Sequence, residues 1–252
     1  MSVEHKDMLP VIYLAAGRGS RLGATTADRP KAMVEAAGQP LIGRSLQYLR
    51  DAGFSRIIAV TGHAAEAFEA FDVETVFNPK WDSENNITST WAVRDVAADG
   101  CVIVNCDLLF EPQLAQILAT TEGTAILVDD ELAVDDESMK ASVDESGRLE
   151  RLHKTLPLEE SVGEYIGLTR IDPADGPRFA EILDEFVEAG NVHVYYEDAI
   201  EALAAERPVR VERVGGTLWV EIDDHDDLAR ANDEIGPQID ATELSANAAA
   251  NR

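Results

Sequence analysis

The sequence predicts an α/β domain built on a mixed, mostly parallel sheet flanked by helices, with a small β-hairpin insertion. Three observations predict it. Short apolar runs alternate with helical patterns through the first half of the chain. The first of these runs leads directly into a glycine-containing loop. A hairpin signal at residues 144–147 changes the character of the second half.

Residues 9–15 (LPVIYLA) read as a buried first strand. Residues 40–52 place Leu41, Ile42, Ser45, Leu46 and Leu49 at helical spacing, and Gly53 ends that helix. Residues 56–60 are a second strand, 64–71 a short helix and 73–77 a third strand. A polar loop over 78–86 opens with Asn-Pro, and 87–97 is helical. Residues 101–106 (CVIVNC) form a central strand running into Asp107. Pro112 starts a helix that reaches about residue 119, and 124–128 is another strand. Residues 139–143 and 149–154 flank the turn as a hairpin, within an insertion spanning 130–170, and 164–171 is a further strand. Pro177 opens a helix whose apolar stripe is Phe179, Ile182, Leu183, Phe186 and Val187. Ala199, Ile200 and Leu203 mark the next helix, 209–214 and 218–222 are strands, and 226–235 is the last helix. No repeat or linker divides the chain, so residues 1–236 are expected to form one domain. Residues 237–252 are polar, Ala/Asn-rich and aperiodic, and are expected to be a flexible tail.

The 252 residues are 45% hydrophobic and 27% charged, as in ordinary globular domains. Asp plus Glu number 48 against 21 Lys plus Arg, for a net charge of −27, and only five of the cations are Lys. That balance argues against a nucleic-acid partner, which demands a basic patch, and against an anionic membrane surface. It fits a salt-rich cytoplasm, where screening shortens self-repulsion, beside the plainer alternative of a mesophilic protein that is simply acidic. The N-terminal MSVEHKDM lacks the apolar stretch of a secretory signal, and no apolar run nears the roughly 20 residues of a membrane span. A cytoplasmic location without membrane insertion is expected. Cys101 and Cys106, five apart, face opposite sides of one strand and read as small core residues. A homo-oligomer is left open.

The loop after the first strand, LAAGRGSRL, spans Leu14 to Leu22. Gly17 and Gly19 let the backbone turn and approach a ligand, and successive N–H groups there can nest an anion. A dinucleotide-binding loop would start a helix at once; here GATTADRPK intervenes. A P-loop would end in Gly-Lys-Ser/Thr, which is absent. What remains is a loop presenting Arg21 and Lys31 to something anionic, with solvated loop cations as the plain alternative.

This segment, with its spacer, its Pro30-Lys31 and the following MVEAAGQPLIGRSLQYLRDAGFSRIIAVTGH, resembles the nucleotidyltransferases that act on sugar phosphates and related phosphates. The resemblance implies a Rossmann-like three-layer fold. It also implies a nucleotide site using Leu14, Ala15, Ala16, Gly17, Gly19, Ser20 and Arg21 around the triphosphate, with Lys31 at the α-phosphate. Arg21 and Lys31 are the implied catalytic cations, since a pentavalent phosphorus gathers negative charge that fixed cations stabilise.

Asp107 closes the CVIVNC strand, where α/β sheets place ligand-binding groups. Glu221 and Asp223 end LWVEID, two apart and therefore on one face. Mg²⁺ takes one or two carboxylates plus phosphate oxygens. The resemblance adds that the family binds Mg²⁺ through an acid on the central strand and one on a late strand, here Asp107 and Asp223, with Glu221 as an additional ligand. Asp224, Asp226 and Asp227 read as cap or surface acids of the next helix.

The stretch 78–92 (NPKWDSENNITSTWA) is similar to the CTP:phosphocholine cytidylyltransferases and related aminoethylphosphonate enzymes, as are 136–140 (DESMK), 152–154 (LHK), 163–167 (GEYIG), 195–200 (YYEDAI) and 219–223 (WVEID). The likeness covers about residues 9–235. Asn85, Asn86 and Ser89 offer amides and a hydroxyl suited to a base edge or ribose, and Asn85 or Asn86 would equally cap the helix. Lys154 is implied at the acceptor phosphate, with a surface cation as the alternative. Trp81, Trp91, Tyr195, Tyr196 and Trp219 are candidates for an aromatic cage around a quaternary ammonium, or for plain packing. Asp129, Glu137, Glu164 and Glu197 are candidate carboxylates for a cationic acceptor, with nothing in the sequence to choose among them. The resulting expectation is a Mg²⁺-dependent transfer of CMP from CTP to a small phosphate or phosphonate acceptor. The alternatives are a sugar- or inositol-phosphate nucleotidyltransferase using another NTP, and a non-catalytic nucleotide sensor.

Overall fold

The computed structural model describes residues 8–250, with side chains to residue 245. Residues 1–7, part of the segment read for a secretory signal, and 251–252 lie outside the described residues. In chain order the elements are β1 (Val11–Ala15), β2 (Glu35–Ala36), β3 (Gln39–Pro40), α1 (Leu41–Asp51), β4 (Ile57–Thr61), β5 (Glu74–Phe77), α2 (Asn86–Trp91), α3 (Arg94–Ala97), β6 (Cys101–Asn105), β7 (Leu108–Phe110) and α4 (Pro112–Thr120). They continue with β8 (Ala125–Asp129), β9 (Lys140–Val143), β10 (Leu149–His153), β11 (Gly163–Ile171), α5 (Gly176–Glu188), α6 (Tyr196–Ala204), β12 (Arg210–Arg213), β13 (Trp219–Glu221), α7 (His225–Arg230) and α8 (Gly236–Ala250).

Strands β5, β4, β1 and β6 pair in parallel, and β11 joins β6 antiparallel, which makes the sheet mixed. The β9–β10 hairpin extends one edge beyond β11, and β8 with β12 branches from it. The apolar runs are continuous because both faces are covered. Val11 and Tyr13 pack with α1 residues such as Leu46 and Leu49 and with Leu114 and Leu118 of α4. Ile12 and Leu14 face the opposite layer, with Ile87 of α2, Phe179 and Ile182 of α5 and Ile200 of α6. This is the three-layer arrangement expected. Cys101 and Cys106 are buried free thiols in these two opposite layers, as their spacing predicts.

Several elements differ from expectation. The 64–71 helix is a 3-10 segment, Ala65–Ala70. The 87–97 helix is broken in two, because Val93 leaves helical geometry at φ −119° and ψ 19°. Lys154 lies just past β10, not within it. Strands β2, β3 and β7 are two or three residues long, too short to leave a periodic signature. The segment read as a tail from residue 237 is helical through Ala250, reached from α7 through a π-helical turn at Ala231–Ile235. Its Ala-rich sequence hides the apolar stripe, yet Ala is the best helix former. It docks through the fully buried Ile239, and Arg44 Nη1 donates to Asp240 Oδ1 at 2.7 Å. No described helix is long and apolar enough to cross a membrane.

Candidate active site

The loop between β1 and α1 is pinned at three places. His63 N–H donates to the Ala16 carbonyl at 3.1 Å, Leu22 N–H to the Gly19 carbonyl at 3.0 Å, and Thr26 Oγ1 to that same carbonyl at 2.9 Å. Among the described residues, the N–H groups of Gly17, Arg18 and Gly19 donate no hydrogen bond, so they remain for an anion. Gly19 adopts φ +70°, and a Cβ there would lie 2.9 Å from Lys31 Cγ. The glycine therefore serves both the left-handed turn and the close passage of the Lys31 stem.

That stem carries Lys31 into a nest of acids. Its Nζ donates to Asp107 Oδ2 at 2.7 Å and to Asp223 Oδ1. Arg21 Nη2 lies 3.0 Å from Asp223 Oδ2. The two acids, 116 positions apart in the chain, meet because β13 pairs antiparallel with β7, setting Glu221 opposite Leu108. Ile222 N–H donates to the Asp107 carbonyl at 2.9 Å and closes that small sheet. Asp107, Glu221 and Asp223 each offer an oxygen, and these lie within 4.8 Å of one another. Asp107 Oδ1 is buried with no hydrogen-bond partner. Three hard oxygen donors, one of whose carboxylates has an orphaned buried oxygen, fit a divalent cation. Asp224 caps α7 by accepting from Asp226 and Asp227 N–H, the structural role expected of that acid run.

These residues line a cleft of about 310 Å³. Leu14, Ala16, Gly17, Gly19 and Arg21 form one wall, while Asn86 and Ser89 at the start of α2 form another. Two loop residues fall elsewhere: Ala15 is fully buried in the core because β1 alternates its faces, and the exposed Ser20 begins a 3-10 segment away from the lining. Asn85 takes the capping role at α2, accepting from Asn86 N–H at 2.8 Å. Asn86 Oδ1 accepts from Tyr196 N–H at 2.8 Å, and Ser89 Oγ from Asn78 Nδ2 at 2.9 Å. Lys154, Tyr195 and Glu197 complete the lining. Glu164 and Trp219 line an adjoining cavity of about 260 Å³ that meets the cleft at Lys154, Glu221 and Asp223. Trp219 is 6% exposed and donates Nε1–H to Asp129 Oδ2 at 2.7 Å, so its ring is mostly core. Tyr165 and Asn105 also line the cleft; Tyr165 and the buried Tyr196 share a hydroxyl hydrogen bond of 2.5 Å, and Tyr196 donates to Asn105 Oδ1 at 3.2 Å. Asn105 was not singled out from sequence, although an Asn closing an otherwise apolar strand is a signal that could have found it.

Electrostatics sharpen the picture. Burial works against the Lys31 ammonium, but Asp107 and Asp223 outweigh it and hold its pKa well above the ordinary value. Burial likewise opposes ionisation of Asp223, and Lys31 and Arg21 outweigh it to hold that carboxyl low. Enclosure in the cleft, then Asp107 and Asp223, raise the Glu221 carboxyl, although its side chain still meets cleft water. Burial raises Glu164, helped by Asp135 and Asp129.

Glu197, in the first turn of α6, is 4% exposed with Oε2 unpartnered. Burial, with the charge of Asp198 added, pushes its carboxyl up to about 8. The folded state thus keeps a proton there that the unfolded chain gives up above its usual 4.5, so the fold loses stability as pH rises from 4.5 to about 8. Glu197→Gln, neutral at every pH, is expected to melt above the parent at pH 9, by about 2–4 °C per kcal/mol relieved, and level with it near pH 4.5. Melting curves at the two pH values check this; an equal difference at both would contradict it.

Comparisons with known proteins agree with this architecture. The chain is 26% identical over 228 residues to a choline-phosphate cytidylyltransferase of Streptococcus pneumoniae, covering 88% of this chain and 96% of the relative. It is 27% identical over 262 residues to a CMP-5'-(3-aminopropyl)phosphonate synthase of Streptomyces rubellomurinus; the match covers 92% of this chain and spans only 40% of that protein's length. The solved CTP:phosphocholine cytidylyltransferase from Streptococcus pneumoniae superposes with a TM-score of 0.76 at 22% identity, over 88% of this chain and 97% of that one. Residues 11–160 match the family model described as the MobA-like NTP transferase domain. A glycine loop feeding a buried lysine into an acid cluster on such a sheet, within that matched span and beyond it, places the chain in the MobA-like NTP transferase domain family, as a nucleotidyltransferase.

Proposed function

We propose that this chain is a Mg²⁺-dependent cytidylyltransferase, which moves CMP from CTP onto a small phosphate or phosphonate acceptor and releases pyrophosphate. The observation that supports it most is the bridge from Lys31 to Asp107 and Asp223, which joins the cationic loop to the acids at one point of the cleft. The base and ribose would lie against Leu14 and Asn86 and the triphosphate against the free N–H groups of Gly17–Gly19. Arg21, with its side chain 62% exposed, is free to follow the departing phosphates.

An acceptor oxygen attacks the α-phosphorus in line, forming the new P–O bond as the bond to the pyrophosphate oxygen breaks. The nucleophile is already anionic, so no side chain need take a proton, and none of the five His is assigned one. Positioning and charge stabilisation supply the rate. Lys31 supports the charge gathering on the α-phosphate, and Lys154, where the two cavities meet beside Glu221 and Asp223, orients the acceptor. A Mg²⁺ held by Asp107, Glu221 and Asp223 supplies neutralisation of phosphate charge when bound.

The test is pyrophosphate release from CTP, UTP, ATP and GTP, each with phosphoethanolamine, phosphocholine, aminoethylphosphonate, inositol phosphate and glucose 1-phosphate. Turnover confined to CTP with a phosphate or phosphonate acceptor is expected. A preference for another nucleotide would overturn the cytidylyl assignment, and nucleotide binding without pyrophosphate from any pair would overturn catalysis.

A further inference from the structure

We propose that the protein holds a second ligand site, at the end of the sheet away from the acid cluster, where Arg170 receives the carboxylate of a small aliphatic acid. The site stands independently of the transfer reading.

A cavity of about 400 Å³ lies there. Leu9, just before β1, and Pro173, just after β11, line it, whereas the glycine loop and Asp107 follow the opposite ends of β1 and β6. None of its lining residues lines the cleft or the cavity adjoining the cleft. Arg170 pairs with Val102 of β6 and Ala125 of β8, so its side chain shares the sheet face of Val102 and Leu168, the face that α4 covers. The last residues of α4, Ala119 and Thr120, line the same cavity as Arg170.

The state of that guanidinium carries the proposal. Arg170 is 8% exposed. Its Nε is buried without a hydrogen-bond partner among the described residues. The acid paired with it, Asp172, keeps Oδ2 4.0 Å from Nη2, beyond hydrogen-bond reach. An enclosed carboxyl can become neutral by taking up a proton. A guanidinium has no such escape, because it stays charged at any pH at which proteins fold. An enclosed cation with unanswered donors is strongly unfavourable, and folds keep one where a ligand completes it. Nor is the gap for want of acids, since the chain has 48 of them against 21 cations.

The lining selects the ligand. A guanidinium presents its N–H groups as a fork that a carboxylate matches with two oxygens. Asp172 and Glu122 line the cavity as well, so a singly charged carboxylate is accommodated where a phosphate dianion meets stronger repulsion. Met8, Leu9 and Pro173 offer apolar surface to a short hydrocarbon body.

The experiment titrates the full chain with sodium butyrate by calorimetry at neutral pH and constant ionic strength, with butanamide and inorganic phosphate as comparisons. Butyrate is expected to bind about tenfold more tightly than butanamide, which has the same shape without the charge, and more tightly than phosphate. Arg170→Met should raise the Kd for butyrate about tenfold or more, with circular dichroism reporting that the variant folds. Asp172→Asn removes the competing charge while keeping the oxygen that accepts from Ala174 N–H, and should lower that Kd about threefold; it carries the test if Arg170→Met does not fold. Saturating CTP should leave butyrate binding unchanged. No binding to the parent, phosphate binding more tightly than butyrate, a folded Arg170→Met variant that binds as the parent does, an unchanged Kd in Asp172→Asn, or displacement of butyrate by CTP would each overturn the site. Residues 1–7, which precede Met8, include Glu4 and Asp7. Butyrate binding that emerges only in a Glu4→Gln/Asp7→Asn chain would assign the cavity to this chain's own acids and overturn the free ligand. None of these failures touches cytidylyl transfer, which is read from pyrophosphate release at the other end of the sheet.

Discussion

Asp107→Asn and Asp223→Asn are each expected to cut kcat by at least about a hundred- to a thousandfold with the fold retained, the scale on which preorganised charge acts at a reacting phosphate. Either amide keeps the shape of the carboxylate and an oxygen for Lys31, so what is lost is charge. The architecture around both positions does not depend on that charge. Asp107 holds its place by main-chain pairing, its carbonyl accepting from Ile222 N–H, between the buried strands β6 and β7. Asp223 is fixed by its own N–H, which donates to Asp227 Oδ2 at 2.9 Å. Circular dichroism and a cooperative melt should therefore survive, and single-turnover pyrophosphate release should not. A variant within about tenfold of the parent rate would remove that acid from the cation site.

Most of the site was legible in the sequence because its parts are local. The loop after β1 announces itself by glycines that follow a strand but start no α-helix, and Lys31 follows a Pro at fixed remove. Asp107 and Asp223 stand out among 48 acids because apolar strands run into them. What the sequence does not carry is who meets whom. The pairing of β7 with β13 rests on three residues from each strand, separated by more than a hundred positions, and no periodicity encodes it. Glu197 could not be told from Asp129, Glu137 or Glu164, because which acid is buried at the cleft is a tertiary fact: Asp129 is buried too, but it accepts from Trp219 and does not line the cleft, whereas Glu197 does. Residue type alone likewise did not show which of the five candidate aromatics are open: Tyr196 and Trp219 are buried, whereas Trp81 and Tyr195 line the cleft. Helix α8 was missed because an Ala- and Asn-rich stretch shows no stripe when one isoleucine, Ile239, and one Arg44 contact do the docking.

Lys31→Met is expected to separate the two duties of this lysine, as a cation for the substrate and as the resident counterion of the acid cluster. With its side chain 9% exposed, Lys31 bridges Asp107 and Asp223 in a cluster whose three carboxylate oxygens lie within 4.8 Å. Without it, Arg21 is the neighbouring cation on Asp223, and like charges at that spacing repel strongly. Breaking a largely buried pair from one side costs about 3–5 kcal/mol, which in a chain of this size lowers Tm by roughly 10 °C in EDTA. A divalent cation can take the vacated place between the acids, so millimolar Mg²⁺ or Mn²⁺ should raise the variant's Tm far more than the parent's, while turnover stays lost. The pH dependence follows from the same charges. Asp223 is held below its ordinary 3.8, so the pair's contribution is complete above that value and disappears as pH falls through the depressed one; the two proteins should therefore converge in acid. Melts in EDTA and in metal, with Mn²⁺ titrations followed by electron paramagnetic resonance, read this directly. Equal metal shifts in parent and variant would mean that the lysine and the divalent cation do not share one site, and that the acids are held together for structure alone.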